Sequence, residues 1–370
     1  MTDDLDDRLR TAREACTRRL GYTPQRPRDV IETLARVVPD DARPDAYGEG
    51  GVVADLEAET AALLGKPAAV FMPSGTMAQQ IALRVWADRT GCRTVAYHPT
   101  SHLELHEERG YAHLHGLVAR PVGSAKAPLT RADLDEVGEP LAALLLELPQ
   151  REIGGPLPEW DDLVAQTAWA RERGVAVHLD GARLWEAAVG YDRPTAEVAA
   201  LFDTVYVSFY KGLGGLAGAC LAGPEDVITE AALWRRRHGG TLVAMWPYAA
   251  TALEGLRTRL PRLPAHLARA REIADAVRDL PGVEVVVDPP QTPLLHLRLC
   301  TTADGIRRAA LELATERGWA VPFRSAPSES PRWRVVELMV GESALEWPLD
   351  DVRRAVERLA TPDGPAAADA

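Results

Sequence analysis

From residue 68 onward, short runs rich in β-branched and apolar residues alternate with longer stretches whose apolar positions recur at helical spacing. AAVFM, TVAYH, LLLEL, VAVHLD and TVYVSFY are the short runs; TMAQQIALRVWADRTG and EWDDLVAQTAWARERG are typical of the long ones. Strands that alternate with helices in this way predict βαβ units. The expected class is therefore α/β, a mostly parallel central sheet with helices on both faces. Upstream, residues 5–20 read as a polar amphipathic helix, GYTPQRPRD as a proline-broken connector, and VADLEAETAALLG as a helix ending on Gly65, a usual C-cap residue. From about residue 245 the pattern changes. A helical region over 248–280 precedes VEVVV, LLHLRL, a helix near 303–317 and WRVVELMV, the layout of a smaller α+β domain. The expected organisation is an N-terminal helix and connector (1–45), a large domain (46–245), and a linking helix with a small C-terminal domain (246–362). The tail, 363–370, has nothing to bury and is expected to be disordered.

Composition narrows the partners. With 370 residues, 46% hydrophobic and 26% charged, the chain can bury a large core. A formal charge of −12 argues against a nucleic-acid or anionic-membrane surface, since each requires a concentrated basic face, and leaves a small molecule as the default partner. Cys16, Cys92, Cys220 and Cys300 are scattered without CxxC spacing, which suggests neither zinc nor a disulfide framework and fits the cytosol. The opening MTDDLDDRLR has no apolar leader, and LAALLLEL is far too short to span a bilayer, so a soluble, unprocessed protein is expected.

The candidate chemistry lies at strand ends. In a doubly wound sheet, ligands bind where the strands end in loops. TVYVSFY runs into Lys211 and a turn bearing Gly212, Gly214, Gly215 and Gly218; VAVHLD ends on Asp180 and opens DGAR. FMPSGTMAQQ is a strand followed by Ser74, Gly75, Thr76 and a helix, whose free N–H groups form an anion site. Each has an ordinary use: surface charge, turn residue, helix cap. Their joint occurrence in order on one sheet matches what pyridoxal phosphate requires. The cradle holds the phosphate, Asp180 keeps the pyridine nitrogen protonated, and Lys211, its pKa lowered by partial burial and a nearby positive charge, holds the aldehyde as a Schiff base. SHLELHEERGYAHLH carries His102, His106, His113 and His115; no carboxylate pair or cysteine completes a metal site there, and no metal is expected.

FMPSGTMAQQIAL, HLDGARLWEAA and SFYKGLGGLAGACLAG, with DAYGEGG and SHLELHEERG, resemble the threonine aldolase and β-eliminating lyase family of aspartate-aminotransferase-fold enzymes, in order over about residues 40–245. The resemblance implies a homodimer or homotetramer that binds pyridoxal phosphate, with its active site between subunits and an amino acid as its small-molecule substrate. It implies Lys211 as the Schiff-base residue, Asp180 on the pyridine nitrogen, Arg183 on the substrate carboxylate, Gly75 and Thr76 on the phosphate, and His102 stacked on the ring. Arg334 sits where the family has a second carboxylate-binding arginine, and Tyr47 and Glu49 are expected near the site.

The departures concern the substrate. Where the family carries E-N-T-H-N, this chain reads LLLELPQREIGG, which retains Glu147 and has Gln150 at the histidine position. A glutamine can hydrogen-bond a hydroxyl but cannot take its proton. The family's S-D-T-V-T and G-G-G-M-R-Q stretches read RPRDVIETL and HGGTLVAMW. The expected reaction is aldol cleavage of a threonine-like β-hydroxy-α-amino acid to glycine and an aldehyde, with β-elimination or another amino-acid lyase or racemase reaction as the alternative. Trp185 and Trp246 are either pocket walls for a bulky substrate or core.

Overall fold

The computed structural model describes residues 2–21 and 25–361, so the expected tail at 363–370 lies outside the described residues. The described residues pack as two compact units, one spanning Gln25–Arg262, the other formed by residues 2–21 together with 263–361.

A seven-stranded sheet organises the larger unit, in the order Ala68–Met72, Ala219–Gly223, Thr204–Ser208, Ala176–Gly181, Ala143–Glu147, Thr94–Tyr97, Val118–Pro121. Ala219–Gly223 runs antiparallel to both neighbours, and every other pairing is parallel. The strands at its centre are buried along their whole length, as strands covered on both faces must be, which is why they read as unbroken apolar runs. The helix Gly75–Thr90 packs its Ala78, Ile81, Ala82 and Val85 into one core cluster with Val70, Met72, Tyr206 and Leu221. Because Gly75–Thr90 follows Ala68–Met72 and the other parallel strands end at the same rim, the stretches starting near Ser74, His98, Glu147, Asp180 and Ser208 all leave the sheet on one side.

The smaller unit holds a four-stranded antiparallel sheet, Ser325–Pro327, Arg334–Met339, Leu294–Leu299 and Val283–Val285 in order, with helices Leu263–Val277, Ala303–Arg317 and Leu349–Ala360. Their apolar faces share one core with Leu9 and Leu20.

Two boundaries differ from those expected. Residues Arg18–Arg19 pair in parallel with Trp319–Ala320, and the helix Thr2–Glu14 packs on Ala303–Arg317, so the N-terminal segment belongs with the C-terminal unit. Conversely, the expected helical region 248–280 is two helices, Trp246–Thr258 and Leu263–Val277, parted by a 3-10 turn over Leu260–Arg262 containing Pro261. Proline inside a helix removes a donor and clashes with the preceding turn. The first of the two packs on Gly51–Leu64 in the larger unit, and the second belongs to the smaller one.

Candidate active site

One cleft at the rim of the larger sheet is lined by His102, Glu147, Leu148, Pro149, Arg151, Asp180, Ala182, Arg183 and Lys211. Four residues singled out from sequence, His102, Asp180, Arg183 and Lys211, thus converge although they come from three separate stretches of chain. The reason is topological: Ala176–Gly181 and Thr204–Ser208 are parallel neighbours, and Asp180 is in register with Glu147 on the next strand.

Asp180 is buried and hydrogen-bonded on both oxygens. Gln79 Nε2 donates to Oδ2, and the Ala182 N–H donates to Oδ1 at 3.1 Å. An ionised carboxylate accepts at about four lone-pair sites, so each oxygen keeps one direction open.

Lys211 lies in the turn after Thr204–Ser208 with its amine pushed down to about 8, first by burial and then by the Arg183 guanidinium. Asp180, Glu147 and Glu186 oppose that shift without cancelling it. An amine with that pKa is roughly a tenth neutral at pH 7, whereas an ordinary lysine is neutral to less than about one part in a thousand. The turn glycines serve packing more than ligand approach. Gly214 and Gly218 have positive φ, 63° and 95°, and side chains there would meet Arg259 and the Phe71 ring; a side chain at Gly212 would meet Glu186.

Arg183 is buried, and its Nε has no hydrogen-bond partner. A buried guanidinium N–H without a partner is costly unless an anion completes it. His102 is fixed at two points: its backbone N–H donates to Glu147 Oε2 (3.1 Å) and its Nδ1 pairs with Glu107 Oε1 (3.1 Å). The Glu107 hydrogen bond raises the His102 pKa, with burial opposing. Gln80 Nε2 in turn donates to Glu107 Oε2 at 3.1 Å.

Gly75 and Thr76 open the helix Gly75–Thr90. Ser74 caps it by accepting from the Met77 N–H at 3.3 Å, and the first intrahelical bond runs from Ala78 N–H to Ser74 O, so the Gly75 and Thr76 N–H groups precede the ladder. Gly75 also lies against the Tyr206 hydroxyl, where a Cβ would not fit. One turn further on, Gln79 ties this helix to Asp180.

Other expected residues sit elsewhere. Gln150 is buried outside the cleft lining, its amide nitrogen 3.3 Å from Thr100 O, Thr100 Oγ1 and Glu147 Oε2, while its neighbours Leu148, Pro149 and Arg151 form the wall. Tyr47 is exposed, with a positive φ of 55° and its N–H bonded to Val243 O (3.1 Å). Arg334 belongs to the smaller unit, where its Nη2 donates to Ser325 O at 3.0 Å. Trp185 is core, its indole N–H donating to Ser208 O at 3.2 Å. In the dense histidine stretch, the His102 and His106 rings stay 5.0 Å apart but pair with different acids, Glu107 and Glu152, while His115 stacks on His238.

The sequence reading missed Gln79, Glu107 and Arg151. The first two carried a faint signal, a QQ pair one turn into the cradle helix and an acid five residues after His102. A polar side chain that early on a helix packed against a sheet needs a buried partner.

The residues present fit pyridoxal phosphate. Asp180 has acceptor capacity to spare, the Arg183 Nε lacks an anion, and the cradle admits only glycine at position 75.

The fold and cleft define the class as an α/β enzyme of the aspartate-aminotransferase-like kind with a lysine at a strand end. Residues 28–299 match the β-eliminating lyase family, and the chain belongs to that family. A solved structure of a candidate L-allo-threonine aldolase from Listeria monocytogenes EGD-E superposes with a TM-score of 0.90 at 39% identity, covering 96% of this chain and 99% of that one. An aldolase of Penicillium aethiopicum is 34% identical over 265 residues, 67% of this chain and 66% of its own length. The low specificity L-threonine aldolase of Escherichia coli K12 is 30% identical over 248 residues, 65% of this chain and 73% of its own.

Proposed function

We propose that this chain is a pyridoxal-phosphate-dependent lyase that cleaves a threonine-like β-hydroxy-α-amino acid to glycine and an aldehyde. The observation that carries the reading is the meeting of Lys211, Asp180, Arg183 and His102 in one cleft beside a helix N-terminus. When bound, the cofactor supplies an electron sink for the pair of electrons released at the substrate's Cα.

The protein's own residues do the rest. The N–H groups of Gly75 and Thr76 bind the phosphate at the positive end of their helix. Asp180 accepts from the ring nitrogen and keeps it protonated. The Lys211 amine, partly neutral near pH 7, would hold the cofactor by its aldehyde and is the group whose place a substrate amine would take. Arg183, with its unpartnered Nε, holds the substrate carboxylate and so orients the Cα substituents. His102 covers the ring. Because the Glu107 carboxylate can only accept, neutral His102 carries its hydrogen on Nδ1, and Nε2 is the atom that takes the β-hydroxyl proton. This assigns to His102 the proton transfer that Gln150 cannot perform.

Among the described residues no helix is long and apolar enough to cross a membrane. A cytoplasmic homodimer or homotetramer is the assembly this reading includes, with Tyr47 and Arg334 as its further substrate contacts.

The test is incubation of the cofactor-loaded protein with threonine, allo-threonine and phenylserine, following glycine and aldehyde. Release of both by the wild type and neither by Lys211→Ala supports the reading. 2-Oxobutyrate from threonine or allo-threonine, or phenylpyruvate from phenylserine, with ammonia and without glycine, would replace it with β-elimination.

A further inference from the structure

Behind Asp180 runs a hydrogen-bond chain that the reaction above does not use. Trp86 Nε1 donates to Thr204 Oγ1 (3.0 Å), Thr204 Oγ1 pairs with His178 Nδ1 (2.9 Å), His178 Nε2 pairs with Gln79 Oε1 (3.2 Å), and Gln79 Nε2 reaches Asp180 Oδ2. Thr204, His178, Gln79 and Asp180 are all buried, and the four come from two neighbouring strands, Ala176–Gly181 and Thr204–Ser208, and the helix Gly75–Thr90.

The direction of every bond follows from its acceptor end. An ionised carboxylate only accepts, so Gln79 must turn its NH2 to Asp180 and its carbonyl to His178. That carbonyl only accepts, so His178 carries its hydrogen on Nε2. Burial holds the imidazole neutral, its pKa pushed down to about 4, which leaves Nδ1 bare. The Thr204 hydroxyl then donates to Nδ1 and takes the Trp86 N–H in return.

Apolar side chains would fill this space without a network to satisfy. What they would not do is fix an amide. A side-chain amide presents carbonyl and NH2 with nearly the same shape, and a turn of Gln79 by half a revolution would set its carbonyl against the Asp180 carboxylate. The His178 N–H prevents that turn, because it would then face an NH2.

Resting on the reading of Asp180 as the partner of the cofactor's ring nitrogen, we propose that His178, acting through Gln79, is a positioning residue that holds Asp180 as an acceptor aimed at that nitrogen. Gln79 is the contact and His178 the lock. Thr204 and Trp86 set the His178 tautomer.

The experiment loads wild type, Gln79→Met, His178→Phe and Thr204→Val with pyridoxal phosphate labelled with nitrogen-15 in the ring, and reads the ring-nitrogen shift and the cofactor dissociation constant. Circular dichroism reports the fold of each. The wild type is expected to show a protonated ring nitrogen. In Gln79→Met and His178→Phe the signal moves toward the unprotonated position and the dissociation constant rises about tenfold, the order of losing one hydrogen bond to a charged group. Thr204→Val, one bond further away, shifts it less. Variants that fold, take up cofactor and keep the wild-type shift would reduce the chain to core packing and overturn the proposal. If His178→Phe does not fold, Gln79→Met decides in either direction. A wild type that gives no bound-nitrogen signal sinks the cofactor reading itself, an outcome distinct because every variant is then equally silent.

Discussion

At the scale of residues, the decisive quantity is the state of one amine. Lys211 is lowered to about 8 by burial and by Arg183. Its reactive neutral form therefore grows as pH rises through about 8, where a solvated lysine would require a pH above 10. Loading of the cofactor-free protein with pyridoxal phosphate, followed by its absorption band, is expected to quicken through that range. Arg183→Leu removes a positive neighbour and moves the rise to higher pH; an unchanged midpoint would show that burial alone sets the shift. Gly75 is a second site where one atom decides. An added Cβ would enter the Tyr206 phenol, so Gly75→Ala is expected to cost about 1 to 3 kcal/mol on overpacking grounds, measured by urea unfolding, and to weaken cofactor retention. Lys211 and Asp180 were legible from type and position, and Arg183 and His102 through the family resemblance. Gln79 carried only the faint signal of the QQ pair, because a linear sequence does not say which carboxylate, here one about a hundred residues away, such a glutamine faces.

At the scale of elements, helix ends and strand ends carry the site, and their signals were local. Gly65 ends its helix in a left-handed conformation, and Ser74 caps the next, both as the sequence implied. The helix Trp246–Thr258 has a cap the sequence did not announce. Asp45, two hundred residues earlier, accepts from the N–H groups of Met245 (2.8 Å) and Trp246 (2.7 Å) and, through its other oxygen, from Gly48 (3.0 Å). A buried carboxylate at a helix N-terminus meets the positive end of the dipole and satisfies orphan donors at once. Asp45→Ala leaves those donors buried and should destabilise the protein by about 1 to 3 kcal/mol. Asp45→Asn, which keeps one accepting oxygen, should recover part of this. If both substitutions unfold at the wild-type urea midpoint, the carboxylate does not hold the DAYGEGG loop to the helix.

At the scale of the whole molecule, the sheet brings distant stretches to one rim and leaves Tyr47 outside the cleft, 58% exposed on a left-handed backbone. An exposed aromatic residue held in a sparsely populated conformation suits contact with a second copy, which is where the proposed oligomer would use it. Sedimentation equilibrium should then give a dimer or tetramer. Mixing inactive Lys211→Ala with a weakened Tyr47→Ala chain should restore activity in mixed oligomers, since one site would then combine an intact lysine with an intact tyrosine. Simple averaging of the two parent activities would place Tyr47 in the same subunit's site or in none. The pH profile belongs to this scale as well. His102 must be neutral to accept a proton, and its pKa is raised by Glu107, so kcat should climb with pH above the ordinary histidine range. His102→Asn should lower kcat by about 10² to 10⁴ and remove that limb.

The mostly parallel sheet and the lysine and aspartate at its strand ends were legible in the sequence alone, because each depends on local signals: apolar runs, strand-end turns and helix caps. The antiparallel strand Ala219–Gly223, the joining of the N-terminal helix to the C-terminal unit and the break near Pro261 were settled by packing between segments far apart in the chain. So was the chain of bonds from Trp86 to Asp180. Its members are individually unremarkable in sequence, and only close packing of a helix on a sheet forces each buried donor to find its acceptor.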